Sequence, residues 1–165
     1  MALGRSIVDK ASEVKEWIKE ISVKRGELGG HAICPYAFSA SVKIVERALN
    51  KLTLKAEFVK FIEIENYEVA IFIVEDDVTL PMMLQTMSEL SMMFSDYVFL
   101  DDHKDDPTFI NGIQSNFGKH NLIIVQKRDK LLKAREQLAE TNYYGFWTKE
   151  MYERIVNGKL TSGQE

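Results

Sequence analysis

The chain has 165 residues and a formal net charge of −4 at pH 7, with 45% hydrophobic and 28% charged residues. This length suits one domain with its own apolar core, and the composition excludes a chain that is disordered throughout. The acidic balance argues against nucleic-acid binding, for which a basic surface is expected.

The N-terminal residues predict an amphipathic helix, and neither a signal peptide nor a membrane segment. Apolar side chains recur at helical spacing between Ile7 and Ile21, and charged residues interrupt them. The longest unbroken apolar run, Val69–Val74, is far shorter than a membrane span. A lone cysteine cannot form an internal disulfide, which is typical of a reducing compartment. We therefore expect a cytoplasmic protein.

Cys34 precedes a second predicted helix. Pro35 suits the first helical position, and apolar residues at positions 38, 42, 45 and 49 repeat at helical spacing behind it. Cys34 would then be the N-cap residue, where unpaired backbone N–H groups and the helix dipole favour a thiolate. The alternative is a buried cysteine that only fills space in the core.

The remaining pattern predicts a sheet covered by helices. Residues 52–64 alternate apolar and polar side chains with one slip, which predicts a bulged strand in a hairpin with Val69–Val74. Thr79 can cap a methionine-rich helix, strands are predicted at residues 97–100 and 121–126, and helices begin near Asp129 and Thr148.

This order of elements predicts an α+β fold. We expect a two-layer sandwich in which helices cover a mixed or antiparallel four-stranded sheet, and a rearranged ferredoxin-like connectivity is one arrangement that fits. Residues 1–158 would form a single globular domain, and the polar residues 159–165 a flexible tail.

The segment around Cys34 carries the first candidate site. A charged His31, three residues earlier, would also favour the thiolate, so Cys34 and His31 are candidate catalytic residues. Gly29 and Gly30 either allow the backbone to approach a ligand closely or form a turn between two helices. Together with Tyr36, they are candidate ligand-binding residues.

Residues 101–120 form a long stretch without clear periodicity, and loops of this length are usually functional or disordered. Asp101, His103 and Asp106 could supply an acid–base pair, and Asn111 could orient a polar ligand. His103 is therefore a third candidate catalytic residue, and Asp106 and Asn111 are candidate ligand-binding residues. Cys34, His103 and Asp101 could hold a single metal ion, although the sequence requires no cofactor. An ordinary solvated turn has the same composition.

Two further segments could bind a protein partner. Residues 143–147 are an aromatic cluster, and the predicted helix after Thr79 carries methionines at positions 82, 83, 87, 92 and 93. Both could instead pack in the core, and self-association into a homo-oligomer would use the same surfaces. The basic run at residues 127–135 is either a solvated face or a contact for an anionic partner.

Several of these segments together resemble an uncharacterised family of bacterial proteins. That family has a Trp-bearing first helix, a Leu-Cys-Pro-Phe-Ala segment, and an Asp-Pro and Asn-containing loop before an apolar strand. The resemblance implies that the Cys34 turn and the loop at residues 106–111 belong to one site, and it implies no activity. The matching residues are Trp17, Ile33-Cys34-Pro35-Tyr36-Ala37, Asp106-Pro107, Phe109-Ile110-Asn111 and the strand at 122–125.

Two hypotheses follow for function. The first is a small-molecule site or enzyme, thiol-based or metal-assisted, that uses Cys34 with His31 and the loop from Asp101 to Asn111. The second is a non-enzymatic regulatory module that binds a protein partner through residues 143–147 and the methionine-rich helix. The sequence does not decide whether the protein is an enzyme.

Overall fold

The structure, a computed structural model, describes residues 7–35, 42–49, 56–60 and 68–157. The predicted tail at 159–165 lies outside the described residues. Short 3₁₀ turns occur at Gly26–Leu28 and Tyr143–Phe146, and residues 56–60 are helical. The other elements are helix α1 (Ile7–Ile21), strands β1 (Val42–Leu49) and β2 (Val69–Val74), helix α2 (Leu80–Met93), strands β3 (Tyr97–Asp102), β4 (Phe109–Ile110), β5 (Ile113–Gln114) and β6 (Asn121–Lys127), and helices α3 (Arg128–Ala139) and α4 (Lys149–Ile155).

A mixed four-stranded sheet forms the centre of the fold and confirms the predicted α+β class. Its strand order is β1-β2-β6-β3, in which β1 and β2 are parallel and the other neighbours are antiparallel. Strand β2 lies between β1 and β6, and its side chains from residue 70 to residue 74 are all buried. A central strand that is covered on both faces needs such a continuous apolar run.

Helices cover both faces of the sheet, so the predicted two-layer sandwich is wrong in its number of layers. Even-numbered residues of β2 face α2 and the helical residues 56–60, whereas odd-numbered residues face α1. We refer to these as the α2 face and the α1 face. The buried core of the α2 face is Phe58, Ala70, Phe72, Val74, Val78, Met83, Met87, Leu90, Phe99, Ile123 and Val125. The buried core of the α1 face is Ala11, Val14, Ile44, Ile71, Ile73, Phe117 and Leu122.

Residues 42–49 form strand β1, so the helix predicted after Cys34 is wrong over these residues, and residues 36–41 lie outside the described residues. Val42 pairs with Val69 and Ile44 pairs with Ile71. The apolar positions 42, 45 and 49 fit helical spacing, but Val42, Ile44 and Val45 are β-branched, and such residues favour strands. Pairing with β2 decides between the two patterns.

The hairpin predicted for residues 52–64 and β2 is also wrong. Strand β2 is parallel to β1, which requires a crossover connection, and residues 56–60 lie in this connection as helix. Phe58, one of the apolar residues of the alternating pattern, is fully buried there. It reaches the core from a helix and not from a strand. The rest of the predicted strand lies outside the described residues.

The other predicted elements are confirmed. The Thr79 hydroxyl accepts a hydrogen bond from the Met82 N–H at 3.3 Å and caps α2, and the Thr148 hydroxyl caps α4 in the same way through Met151. Strands β3 and β6 contain the predicted residues 97–100 and 121–126.

Candidate functional site

A cavity of about 320 Å³ opens on the α1 face of the sheet. It lies between α1, the turn that carries Cys34, strands β2, β6 and β3, and the helices that follow β6. Most of its wall is aliphatic or aromatic. The apolar wall residues are Trp17, Ile18, Ile21, Ile33, Val69, Ile71, Leu100, Ile110, Ile124, Leu131, Ala134, Leu138, Trp147, Met151 and Ile155.

Three of the predicted site residues line this one cavity, namely Cys34, Asp101 and Asp106. Cys34 is exposed and lies in a bend, and its N–H donates to the Ile21 carbonyl at 2.9 Å. The described residues do not support the predicted N-cap role, because Pro35 lies in a turn and residues 42–49 form a strand. Residues 36–41 lie outside the described residues.

His31 lies outside the cavity wall. Its Nε2 forms a 3.0 Å hydrogen bond with the Asn142 side-chain oxygen, and its ring meets the Tyr143 ring edge-on, with centroids 5.7 Å apart. These contacts attach the turn after α1 to the C-terminal aromatic segment. The described contacts give His31 a packing role beside the cavity.

The predicted ligand-binding residues Gly29 and Gly30 are also absent from the wall. Gly29 has a φ of 64°, and a Cβ atom there would lie 2.9 Å from the Phe146 ring. Glycine is needed at this position because the backbone turns in the left-handed region and approaches an aromatic ring closely. Tyr36 lies outside the described residues.

His103 lies in the core and away from Cys34. It is 2% exposed, its Nε2 donates to the Val78 carbonyl at 2.8 Å, and its Nδ1 accepts the Asp105 N–H at 3.1 Å. Both ring nitrogens are thus occupied as in a neutral imidazole. Val78 belongs to the core of the α2 face, whereas Cys34 and Asp101 line the cavity on the α1 face. The structure does not bring the predicted metal ligands together, and the described ranges contain no group of three or more His, Cys, Asp or Glu residues that could hold a metal.

Arg154 neutralises part of the acidic wall. Its Nη2 lies 2.9 Å from a carboxylate oxygen of Asp101 and also donates to Asp106. Burial alone would lower the pKa of Arg154, but its hydrogen bonds with and proximity to the two carboxylates raise that pKa. This ion cluster fastens α4 to β3 and to the loop after it.

Asp102 organises the same loop and was not identified from the sequence. Its carboxylate accepts the N–H groups of Phe117 at 2.7 Å and Gly118 at 3.2 Å, and the Asn116 side-chain amide at 3.2 Å. Burial raises its pKa to about 6, even though these hydrogen bonds act in the opposite direction. Asp102 lines the cavity floor and holds the end of the loop against β3.

Asn111 lies at the tip of a hairpin and not in the cavity wall. Asn111 and Gly112 have φ values of 49° and 80°, and they join β4 to β5 as a two-residue turn. The Asn111 amide donates to the Glu27 carbonyl at 2.8 Å, which attaches the hairpin to the turn after α1. An Asn-Gly pair between apolar residues is a strong hairpin signal, so this feature could have been read from the sequence.

The aromatic segment at residues 143–147 packs inward and forms part of the cavity wall. The Tyr143 hydroxyl donates to the Ile33 carbonyl beside Cys34, and the Tyr143 ring contacts Tyr144 and Trp147. Burial raises the pKa of Tyr143 well above its usual range, and the nearby Cys34 acts in the same direction. The segment therefore joins the Cys34 turn to α4.

The hypothesis of a protein-binding module now depends on α2. Met83 and Met87 are buried in the core, whereas Met82, Met92 and Met93 are exposed. Since Tyr143, Tyr144 and Trp147 line the cavity, these exposed methionines are the accessible large side chains of the predicted partner surface. Binding of a partner there stays a prediction.

Comparisons with known proteins do not add to this description. No family model, curated protein or solved structure matches the chain. The resemblance to an uncharacterised bacterial family stays a prediction. None of the described helices is long and apolar enough to cross a membrane.

Proposed function

We propose that this protein binds a small molecule with an apolar body in the cavity on the α1 face. The observation that carries the proposal is the cavity itself, which has a volume of about 320 Å³ and is lined by apolar side chains from α1, β2, β3, β4, β6, α3 and α4. Ligand sites have volumes from about 300 to 1,000 Å³, with mostly apolar walls and a few polar groups that orient the ligand. Here Cys34, Asp101 and Asp106 are such polar groups.

The arrangement supports binding more strongly than catalysis. His103 uses both ring nitrogens in the core, and His31 is hydrogen-bonded to Asn142 outside the wall. Asp101 and Asp106 are held by Arg154. General acid–base catalysis needs a titratable group within hydrogen-bond reach of the reacting atoms, and neither histidine meets this condition. Asp102 lines the cavity, but its carboxylate already accepts three hydrogen bonds from residues 116–118. We propose a binding protein that acts in the cytoplasm, a location supported by the single cysteine.

A second, more polar cleft does not compete for this role. It has a volume of about 460 Å³ and lies along the other side of Trp17. Glu16 and Glu20, on its wall, are exposed, and Arg25 and Lys119 also border it. Its wall is charged and exposed and provides little apolar surface that a ligand could cover. We therefore assign the ligand to the first cavity.

N-phenyl-1-naphthylamine, a neutral fluorescent probe, tests this proposal. Trp17 and Trp147 are the two tryptophans of the chain, and both line the cavity. A bound probe should therefore brighten and accept energy from both indoles, and the titration should saturate with one probe per chain. A featureless, non-saturating increase in fluorescence would contradict the proposal.

A matched pair of variants locates the probe. Ala134→Phe places a ring in the cavity from α3 and should abolish saturable binding, because the space is filled. Ala139→Phe makes the same change at an exposed position of the same helix and should bind as the wild type does. Circular dichroism checks that each variant is folded. If Ala134→Phe does not fold, Leu131→Phe in the same cavity wall replaces it. Equal binding by the two alanine variants would place the probe elsewhere.

A further inference from the structure

The face of α3 that lines the cavity carries cations without a carboxylate partner. Lys130 and Arg135 both line the cavity, and neither forms an ion pair with a carboxylate in the part of the chain that the structure describes. Burial lowers the pKa of Arg135, because the guanidinium is partly removed from water there. A half-buried cation without a counter-ion favours an anion in the adjacent space.

Backbone carbonyls satisfy Arg135 only in part. Its Nη1 donates to the Val156 carbonyl at 3.4 Å, and its Nη2 donates to the Ile155 carbonyl at 3.1 Å. These carbonyls, at the end of α4, carry partial negative charge and not a full counter-charge. A guanidinium has five N–H donors in a planar fork that matches a carboxylate, so donors remain for a ligand.

An indole N–H group in the same wall also lacks an acceptor. Trp17 Nε1 is buried and has no hydrogen-bond partner among the described residues. An unsatisfied buried donor is costly, and a ligand with acceptor oxygens would remove that cost. The donors left open around this cavity therefore call for a ligand that accepts hydrogen bonds.

The carboxylates in the cavity wall are already engaged, so they favour a cationic ligand less. Asp101 and Asp106 bind Arg154, Asp102 accepts three hydrogen bonds, and Glu68 also has an interaction partner. An amine would have to displace these contacts, whereas an anion would meet Lys130 and Arg135, which pair with none of the carboxylates in the described ranges. Charge complementarity thus favours an anionic ligand over a cationic one.

We propose that the ligand is a small carboxylic acid with an apolar body, bound as the carboxylate by Arg135. Its body would lie against Ile71 and Ile124, on the floor of the cavity. This inference rests on the proposed binding function and adds the chemical class of the ligand.

Three probes with the same eight-carbon body separate the two proposals. Octanoate, 1-octanol and octylamine are titrated into the wild-type protein at pH 7.5 in a calorimeter. Octanoate should bind at least about tenfold more tightly than 1-octanol, since a hydrogen-bonded charge pair strengthens binding by this order, and octylamine should bind most weakly. Equal binding of octanoate and 1-octanol would overturn the carboxylate inference and leave the cavity as a ligand site. Absence of binding by all three would overturn the proposed function.

Arg135→Gln tests the residue, with Lys133→Gln as its control. Gln retains an amide donor toward the end of α4 but removes the charge, so the tenfold preference for octanoate over 1-octanol should disappear. Lys133 is exposed on the same helix and lies outside the wall, so its variant should keep the preference. Arg135→Lys should retain part of the preference for octanoate over 1-octanol. This variant decides the outcome if Arg135→Gln does not fold. A preference that survives in Arg135→Gln would overturn the inference.

Discussion

Asp102 shows how one buried carboxylate can hold a long loop against the sheet. It accepts three hydrogen bonds from residues 116–118, and its pKa is raised to about 6 by burial. Because this pKa exceeds the ordinary value of 3.8, protonation of Asp102 favours the folded state. Its stabilising contribution is complete below pH 4 and is lost as the pH rises through 6.

Asp102→Asn should remove this pH dependence. The free energy of unfolding of the wild type, minus that of the variant, should fall by about 2 kcal/mol between pH 4 and pH 7. A shift of roughly two pKa units has a full value of about 3 kcal/mol, and part of it is already lost at pH 4. Urea unfolding at half-unit pH steps measures the difference. Parallel pH profiles for the two proteins would show that Asp102 does not titrate in this range.

Cys34 can report on the cavity because it is exposed at the wall and is the single cysteine of the chain. Iodoacetamide should label Cys34 in the folded protein, and saturating N-phenyl-1-naphthylamine should slow the reaction severalfold by blocking access. Mass spectrometry counts the adduct. In Ala134→Phe the probe should give no protection, and the same protection in that variant would separate Cys34 from the ligand site.

At the scale of elements, the hairpin β4–β5 depends on a turn that few residue types can form. Asn111 adopts a φ of 49°, and asparagine tolerates this region far better than most residues other than glycine. Asn111→Ala should lower the free energy of unfolding by about 2 kcal/mol, from the backbone cost and the lost bond to Glu27. Asn111→Gly should cost only about 1 kcal/mol, since it loses the hydrogen bond alone. Thermal unfolding compares the two, and equal losses would exclude backbone strain as the cause.

The sequence correctly predicted those elements whose apolar spacing fits only one type of secondary structure. The capped helix after Thr79 and the apolar strands β2 and β6 are where the pattern placed them. Strand β1 was predicted as a helix because its apolar spacing fits both structures, and only its pairing with β2 selects the strand. The site could not be predicted from the sequence for the same reason. Whether the donors of Arg135 and the indole N–H of Trp17 are satisfied depends on residues that are distant in sequence.

At the scale of the whole molecule, the two faces of the sheet differ in packing. On the α2 face, the centroid of the Phe58 ring lies between 4.8 and 6.1 Å from the ring centroids of Phe72, Phe94, Tyr97 and Phe99. On the α1 face, the cavity lies beside the buried cluster that contains Val14, and the two share Ile71. The α2 face thus supplies a densely packed core, and the α1 face leaves room for a ligand.

The indole N–H signals of Trp17 and Trp147 test the binding site most directly. The ¹⁵N–¹H spectrum of the protein should show two indole cross-peaks, since the chain has two tryptophans, and both side chains line the cavity. On titration with 1-octanol, both cross-peaks should shift with a single dissociation constant, and neither should shift in Ala134→Phe. Indole cross-peaks that stay fixed while other resonances move, or that shift equally in the filled variant, would contradict a ligand site on the α1 face.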